Sequence, residues 1–395
     1  MTAPQPDFRS AAFLRQHLRD TMAFYDPVAT DASGGQYHFF LDDGTVYDTR
    51  TRHLVSATRF VVTHAMLYRT TGEQRYQAGM LHALQFLRTA FLDPATGGYA
   101  WLIDWNEGRA TVQDATRHCY GMAFVMLAYA RAFEAGVPEA RQWLDQAFDT
   151  AEQHFWQPTA GLYADEASPD WRLTGYRGQN ANMHACEALI SAFRATGERR
   201  YIERAEELAQ GICQRQAALS SPASAPAAEG WVWEHFHADW SVDWDYNRHD
   251  RSNIFRPWSY QIGHQTEWAK LLLQLDALLP ADLRTAPVRC RRRTRLGCRT
   301  RRPVLRHGAR RQHLRQRKIP LGAGRKPGRR CGAGGSYGRR SVLAVVRPHL
   351  GLLLGALCGP RTWCVVSHPA PRQPQHHPRE KQCGKGGLSQ HGGVL

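Results

Sequence analysis

The sequence predicts an all-α chain of repeating helical hairpins set as an α/α toroid, and three observations carry that prediction. Gly72, Gly136 and Gly197 follow apolar segments at intervals of 64 and 61 residues. The segments flanking these glycines have helical rather than strand spacing. Eleven of the twelve Trp fall in the first 280 residues, so a large core is available there. An open solenoid of helix pairs is the rival, but its repeats usually run to roughly 34–47 residues.

The elements follow in order. The turns read Thr71-Gly72-Glu73-Gln74-Arg75-Tyr76, Ala135-Gly136-Val137-Pro138 and Thr196-Gly197-Glu198-Arg199-Arg200-Tyr201. A glycine closing each first helix suits a left-handed C-terminal cap. After the second helices come Asp93-Pro94-Ala95-Thr96-Gly97-Gly98-Tyr99 and Gln157-Pro158-Thr159-Ala160-Gly161-Leu162-Tyr163, with Gly97 and Gly161 again 64 apart. Val125, Ala128, Tyr129 and Ala132 lie on one helix face. Ile202, Ala205, Glu206 and Ala209 do the same with one polar member. In a toroid the inner helices line a central pocket and the outer ones wrap them.

Charge divides the chain. Residues 281–395 hold 27 Lys and Arg against 2 Asp and Glu, a balance of +25, which leaves −9 for the first 280. Six of the nine cysteines also lie in this Arg-, Pro- and Gly-rich tail. A nucleic-acid-binding arm is one reading of such a tail, text never selected as protein is a second, and a shifted reading frame is the third. Moved by one base throughout, 297–309 can read G-A-E-H-G-G-L-Y-Y-G-M-A, and 342–366 can read Trp-rich text containing E-H-G-A-W-Y. The two Gly-aromatic loops then fall near Arg301 and Trp363, 62 residues apart and so at the toroid's own period. The expected organisation is therefore a toroid catalytic domain over 8–280, about two-thirds of a ring, and a mostly disordered out-of-frame tail over 281–395. Within the tail, at most a short apolar helix is expected near 342–357. The 12 Trp, 14 Tyr and 15 Phe exclude a mainly disordered or collagen-like chain. No apolar run of about 18 residues suggests a membrane span, and the N-terminus lacks a secretory h-region, so a cytoplasmic protein is expected.

Chemistry-bearing residues should be polar ones on otherwise apolar inner helices. In Gly178-Gln179-Asn180-Ala181-Asn182-Met183-His184-Ala185-Cys186-Glu187, the residues Asn180, His184 and Glu187 share a helix face; a hydrogen-bonded core histidine is the alternative. In Gly263-His264-Gln265-Thr266-Glu267-Trp268, Gly263 breaks the chain before a helix and His264 sits in its first turn. The helix N-terminus disfavours the imidazolium, which keeps His264 available as a base near neutral pH. Glu267 can orient it or hold a substrate hydroxyl, unless the pair is a simple cap. Weaker signals are Arg59, which can equally be a solvated charge, and Tyr120. Trp231, Trp233, Trp240 and Trp244 suit either sugar stacking or core. No metal site is expected, since His235 and His237 lack partners at zinc spacing, and no phosphate loop is present. A glycoside hydrolase needs two flanking carboxylates, and among Glu234, Asp239, Asp243 and Asp245 no pair stands out.

Gly178–Glu187, Gly263–Lys270 and the hairpin around Arg59 resemble the N-acylglucosamine 2-epimerase family, and within it the D-mannose isomerase and related aldose–ketose isomerase branch. The resemblance implies an (α/α)6 barrel, incomplete here because residues after about 285 read as out of frame. It also implies enediol proton transfer on an open-chain monosaccharide with no cofactor or metal. By resemblance His264 and Glu267 are catalytic, and Arg59, Tyr120, Asn180 and His184 hold substrate oxygens. Relatives often carry His where this chain has Met122. The family's second catalytic histidine lies in a D-Y-H-N-M-G-A motif that 387–393 encodes only one base over, so activity is expected of the frame-restored product and not of this chain. Sugar or N-acyl-hexosamine 2-epimerisation is the alternative. Neither a specific nucleic acid nor a membrane is an expected partner, and a monomer or dimer is left open. Resequencing the codons for 280–290 should show a one-base insertion or deletion; an unbroken frame there overturns this reading.

Overall fold

The computed structural model describes residues 7–26, 28–220, 230–251, 253 and 256–279. The expectations for 281–395, including the apolar helix near 342–357, lie outside these residues. The order is α1 (Ala11–Tyr25), α2 (Leu54–Thr71), α3 (Gln74–Phe86), α4 (Cys119–Glu134), α5 (Ala140–His154), α6 (Gln179–Thr196), α7 (Arg199–Gln210), α8 (Ala217–Leu219) and α9 (Ile262–Leu278). The chain is of the all-α, α/α-barrel class. α2, α4, α6 and α9 form the inner row, in which α2 packs on α4, α4 on α6 and α6 on α9. α3, α5 and α7 pack outside α2, α4 and α6 respectively. The described part thus contains three hairpins and the inner helix of a fourth. No described helix is long and apolar enough to cross a membrane.

The repeat glycines sit where the spacing placed them. Gly72 and Gly197 cap α2 and α6 in the left-handed region at φ 74°, and Gly136 follows α4 at φ 95°. Val125, Ala128, Tyr129 and Ala132 form a wholly buried stripe of α4, and Ile202, Ala205, Glu206 and Ala209 one of α7. α4 is the most apolar inner helix, with only its ends reaching water, as befits its place between α2 and α6.

Short strands add a feature that the helical reading lacked. Thr51–His53 pairs antiparallel with Leu102–Asn106, which turns back through Glu107 and Gly108 (φ 49° and 83°) into Arg109–Asp114. Arg117–His118 pairs with Glu166–Ala167, and Arg177–Gly178 with His235–Phe236. Each of these first strands ends where an inner helix begins. Its arginine is buried and anchored on the loop that follows an earlier helix. Arg52 bonds Asp31 after α1 at 2.7 Å, Arg117 bonds Asp93 after α3 at 2.8 Å, and Arg177 bonds Gln157 after α5 at 3.0 Å. Asp31-Ala32-Ser33-Gly34-Gly35 is accordingly a further copy of the loop beginning at Asp93.

Gly263 departs from expectation: it is the second residue of α9, not a break ahead of it, and Gln261 occupies the cap. Gly197 tests the cap directly, since a Cβ there meets nothing and only the backbone opposes it. Gly197→Ala should cost about 1–2 kcal/mol and lower the melting temperature by a few degrees; an unchanged melt would refute the capping role.

Candidate active site

The sequence-predicted residues occupy the first two turns of the inner helices: Arg59 on α2, Tyr120 on α4, Asn180 and His184 on α6, His264 and Glu267 on α9. Common strand pairings set the starts of α2, α4 and α6, so these turns share one end of the row.

On the α2–α4–α6 side, the Arg59 guanidinium lies over the Phe124 ring, 4.7 Å from its centroid. The His184 ring meets Phe124 at 4.9 Å and Tyr120 edge-on at 5.1 Å. Burial pushes the Tyr120 phenol up, and the adjacent Arg59 partly offsets this. Arg59 is exposed, whereas Tyr120, Asn180, His184 and Glu267 are half-buried. The Oδ1 of Asn180 is buried and has no hydrogen-bond partner among the described residues. Trp101 adds an aromatic wall, 3.9 Å from His118 and 6.4 Å from Tyr120.

The surroundings of His264 correct the sequence reading twice. The helix terminus was expected to depress its basicity, and burial does act that way. The hydrogen bond and charge of Glu234, helped by the charge of Glu267, outweigh burial and raise the imidazole above its ordinary value. The orienting carboxylate is also Glu234 and not Glu267. His264 Nδ1 lies 3.0 Å from both Glu234 oxygens, and its hydrogen bonds among the described residues run to Glu234 and Gln179. Reasoning from sequence met Glu234 only as a hydrolase carboxylate, because it stands 30 residues from His264 in a loop without periodicity. Asp239, Asp243 and Asp245 pair locally with Ser241, His237 and Arg248, whereas Glu234 is the carboxylate on His264.

Glu187 shares the α6 face with His184. Its Oε2 lies 3.1 Å from His184 Nδ1, and its Oε1 accepts from Lys270 Nζ on α9 at 3.2 Å. The His184 hydrogen bond, opposed by burial and helped by Lys270, holds the carboxyl down at about 2. Of the candidate tryptophans, Trp233 and Trp240 are core, and Trp244 is partly exposed against Trp233.

An inner row of helices whose starting turns present a histidine–carboxylate pair, an arginine and aromatic walls suits acid–base chemistry on a small polar substrate, and similarity places the chain among the α/α-barrel sugar isomerases and epimerases. Residues 35–292 match the model of the N-acylglucosamine 2-epimerase family, and the chain belongs to that family. It is 50% identical to the D-mannose isomerase of Marinomonas mediterranea over 70% of this chain and 68% of that protein. It is 39% identical to the D-mannose isomerase of Thermobifida fusca over 55% of this chain and 52% of the relative. A crystal structure of a D-mannose isomerase superposes with TM-score 0.66 at 50% identity, covering 71% of this chain and 68% of the other. The cellobiose 2-epimerase of Spirochaeta thermophila, 23% identical with TM-score 0.56 over 69% and 66% of the two chains, shares the fold.

Folding lowers the Glu187 pKa, so its contribution is full above about pH 4.5 and fades as pH falls to about 2. Glu187→Gln should therefore be less stable by on the order of 1–3 kcal/mol at pH 6, with the deficit closing in acid. Urea unfolding across pH checks this, and an equal deficit at pH 2.5 would count against the pair.

Proposed function

We propose that the gene encodes an isomerase converting mannose-type aldoses to the 2-ketose through an enediol. The observation that carries the reading is the His264–Glu234 pair at the start of α9, in a chain 50% identical over 70% of its length to a protein named D-mannose isomerase. In this reading His264 Nε2 removes the C2 proton of the open-chain sugar, and the electrons of that C–H bond form the C1–C2 double bond. The C1 carbonyl oxygen gains a proton, giving the enediol, and Arg59 stabilises the developing oxyanion. The O2 proton then leaves, C2 becomes the ketone and a proton is delivered to C1. C2 is oxidised and C1 reduced, with no external redox partner. Glu234 offsets the imidazolium formed on the way. Tyr120, Asn180, His184 and Glu267 hold substrate hydroxyls.

The same reading makes 8–280 the catalytic domain and assigns activity to the frame-restored product. Supporting it, the family match ends at residue 292, and about a third of the Marinomonas relative lies outside the aligned part. The family's second histidine would come from the restored text around 387–393, outside the described residues. The enzyme would act in the cytoplasm on a free monosaccharide, as a monomer or dimer and without a nucleic-acid partner. Return of the proton to C2, which is epimerisation, is the second reading; cellobiose 2-epimerases among the more distant relatives favour it.

Mannose incubated with the frame-restored protein should yield fructose, while the chain as written should yield none. Glucose without fructose would establish the epimerase instead. His264→Asn should lower turnover by about 10²–10⁴ with little change in KM; near-normal turnover would leave His264 only a structural contact with Glu234 and Gln179.

A further inference from the structure

The loop carrying Glu234 is held from three sides. Gln265, the residue after His264, clamps Val232 with both ends of its amide: its Oε1 accepts from the Val232 N–H at 3.1 Å and its Nε2 donates to the Val232 carbonyl at 2.9 Å. The Trp233 N–H donates to Ser220 Oγ at 3.1 Å. The Glu234 carbonyl accepts from the Gln179 N–H at 3.2 Å, and His235 pairs with Gly178 in the adjoining ladder. The carboxylate therefore has little freedom to leave His264. Glu234 is 5% exposed and His264 24%, so the carboxylate lies behind the ring.

A second set of bonds fixes the polarity of the contact. Trp268 Nε1 donates to Gln179 Oε1 at 2.7 Å. An indole N–H can only donate, so the Gln179 amide must turn its oxygen to Trp268 and its NH2 to Glu234 and His264. Gln179 Nε2 reaches the Glu234 oxygens at 2.9 and 3.1 Å. The same nitrogen is 2.9 Å from His264 Nδ1. Nδ1 cannot accept there while its own proton points to a carboxylate. The ionised Glu234 is the stronger acceptor, so both neighbours donate to it.

We propose that Gln179 and Glu234 are positioning residues for His264: Trp268 orients the Gln179 amide, the amide holds the Glu234 carboxylate, and the carboxylate fixes the His264 proton on Nδ1, leaving Nε2 to face the substrate. The proposal deepens the isomerase reading, which supplies the acid–base role of His264. The charged groups acting on the ring are Glu234 and, more weakly, Glu267 on its own helix; Gln179 and Trp268 are neutral. Gln179 opens α6, and nothing in the sequence sets it apart from an ordinary helix-start residue.

The test is an NMR titration of the full chain with 15N-labelled histidine, the His264 signals being assigned by their loss in His264→Asn. The unsubstituted chain should show His264 protonated on Nδ1 in its neutral form. Glu234→Gln should abolish that preference and lower the midpoint by about one unit or more. Gln179→Leu should shift both in the same direction by less. If circular dichroism shows Glu234→Gln unfolded, Gln179→Leu alone decides. An unchanged tautomer and midpoint in the folded variant overturns the proposal. In the frame-restored protein, Glu234→Gln should lower kcat on the order of 10²-fold, with KM nearly constant and the acidic limb of the pH profile moved down. A frame-restored protein inactive on mannose would sink the isomerase reading while the tautomer measurement still judged the relay.

Discussion

An arginine buried two residues ahead of an inner helix, on a strand paired to the next interhelical loop, recurs at Arg52, Arg117 and Arg177, and the site rests on that recurrence. Each guanidinium reaches back to Asp31, Asp93 or Gln157, while its strand reaches forward to Leu102–Asn106, Glu166–Ala167 or His235–Phe236. The backbone just before the helix is thereby tied to both neighbouring hairpins. Buried arginine contacts of this sort, two of them ion pairs, add little net stability once desolvation is counted. Their effect is on register, because a helix shifted by one residue would turn its polar face about 100° away from the pocket.

The same pairing brings the carboxylate to His264. Register opposite Gly178 puts His235 in the ladder and Glu234 beside the first residue of α6. Two amides, of Gln179 and Gln265, then hold that loop against α6 and α9 together. At His264 two electrostatic influences oppose each other. The helix terminus presents roughly half a positive charge, partly open to water. Glu234 presents a full negative charge at hydrogen-bond distance in a mostly dry setting. The carboxylate wins over both the terminus and burial, so the imidazole sits above its ordinary value.

A second histidine–carboxylate pair, His184 with Glu187, stands on α6 and is tied to α9 through Lys270. α6 therefore touches both sides of the site: its first residue contacts His264 on α9, and its second and third turns carry His184, beside Tyr120 and Phe124, and Glu187.

The sequence by itself determined the hairpin repeat, the glycine caps, the inner-helix faces and the candidates Arg59, Tyr120, Asn180, His184, His264 and Glu267. Those follow from local rules: a left-handed cap needs glycine, and a helix shows its buried face at a period of 3.6. Tertiary structure alone decided the short strands, the anchoring arginines and the partnership of His264 with Glu234 and Gln179. Glu234 is 30 residues from His264, and Gln179 is 85. No periodicity links positions so far apart. Their meeting depends on backbone pairing between loops, whose hydrogen-bonding groups are the same in every residue and so leave no trace in side-chain pattern.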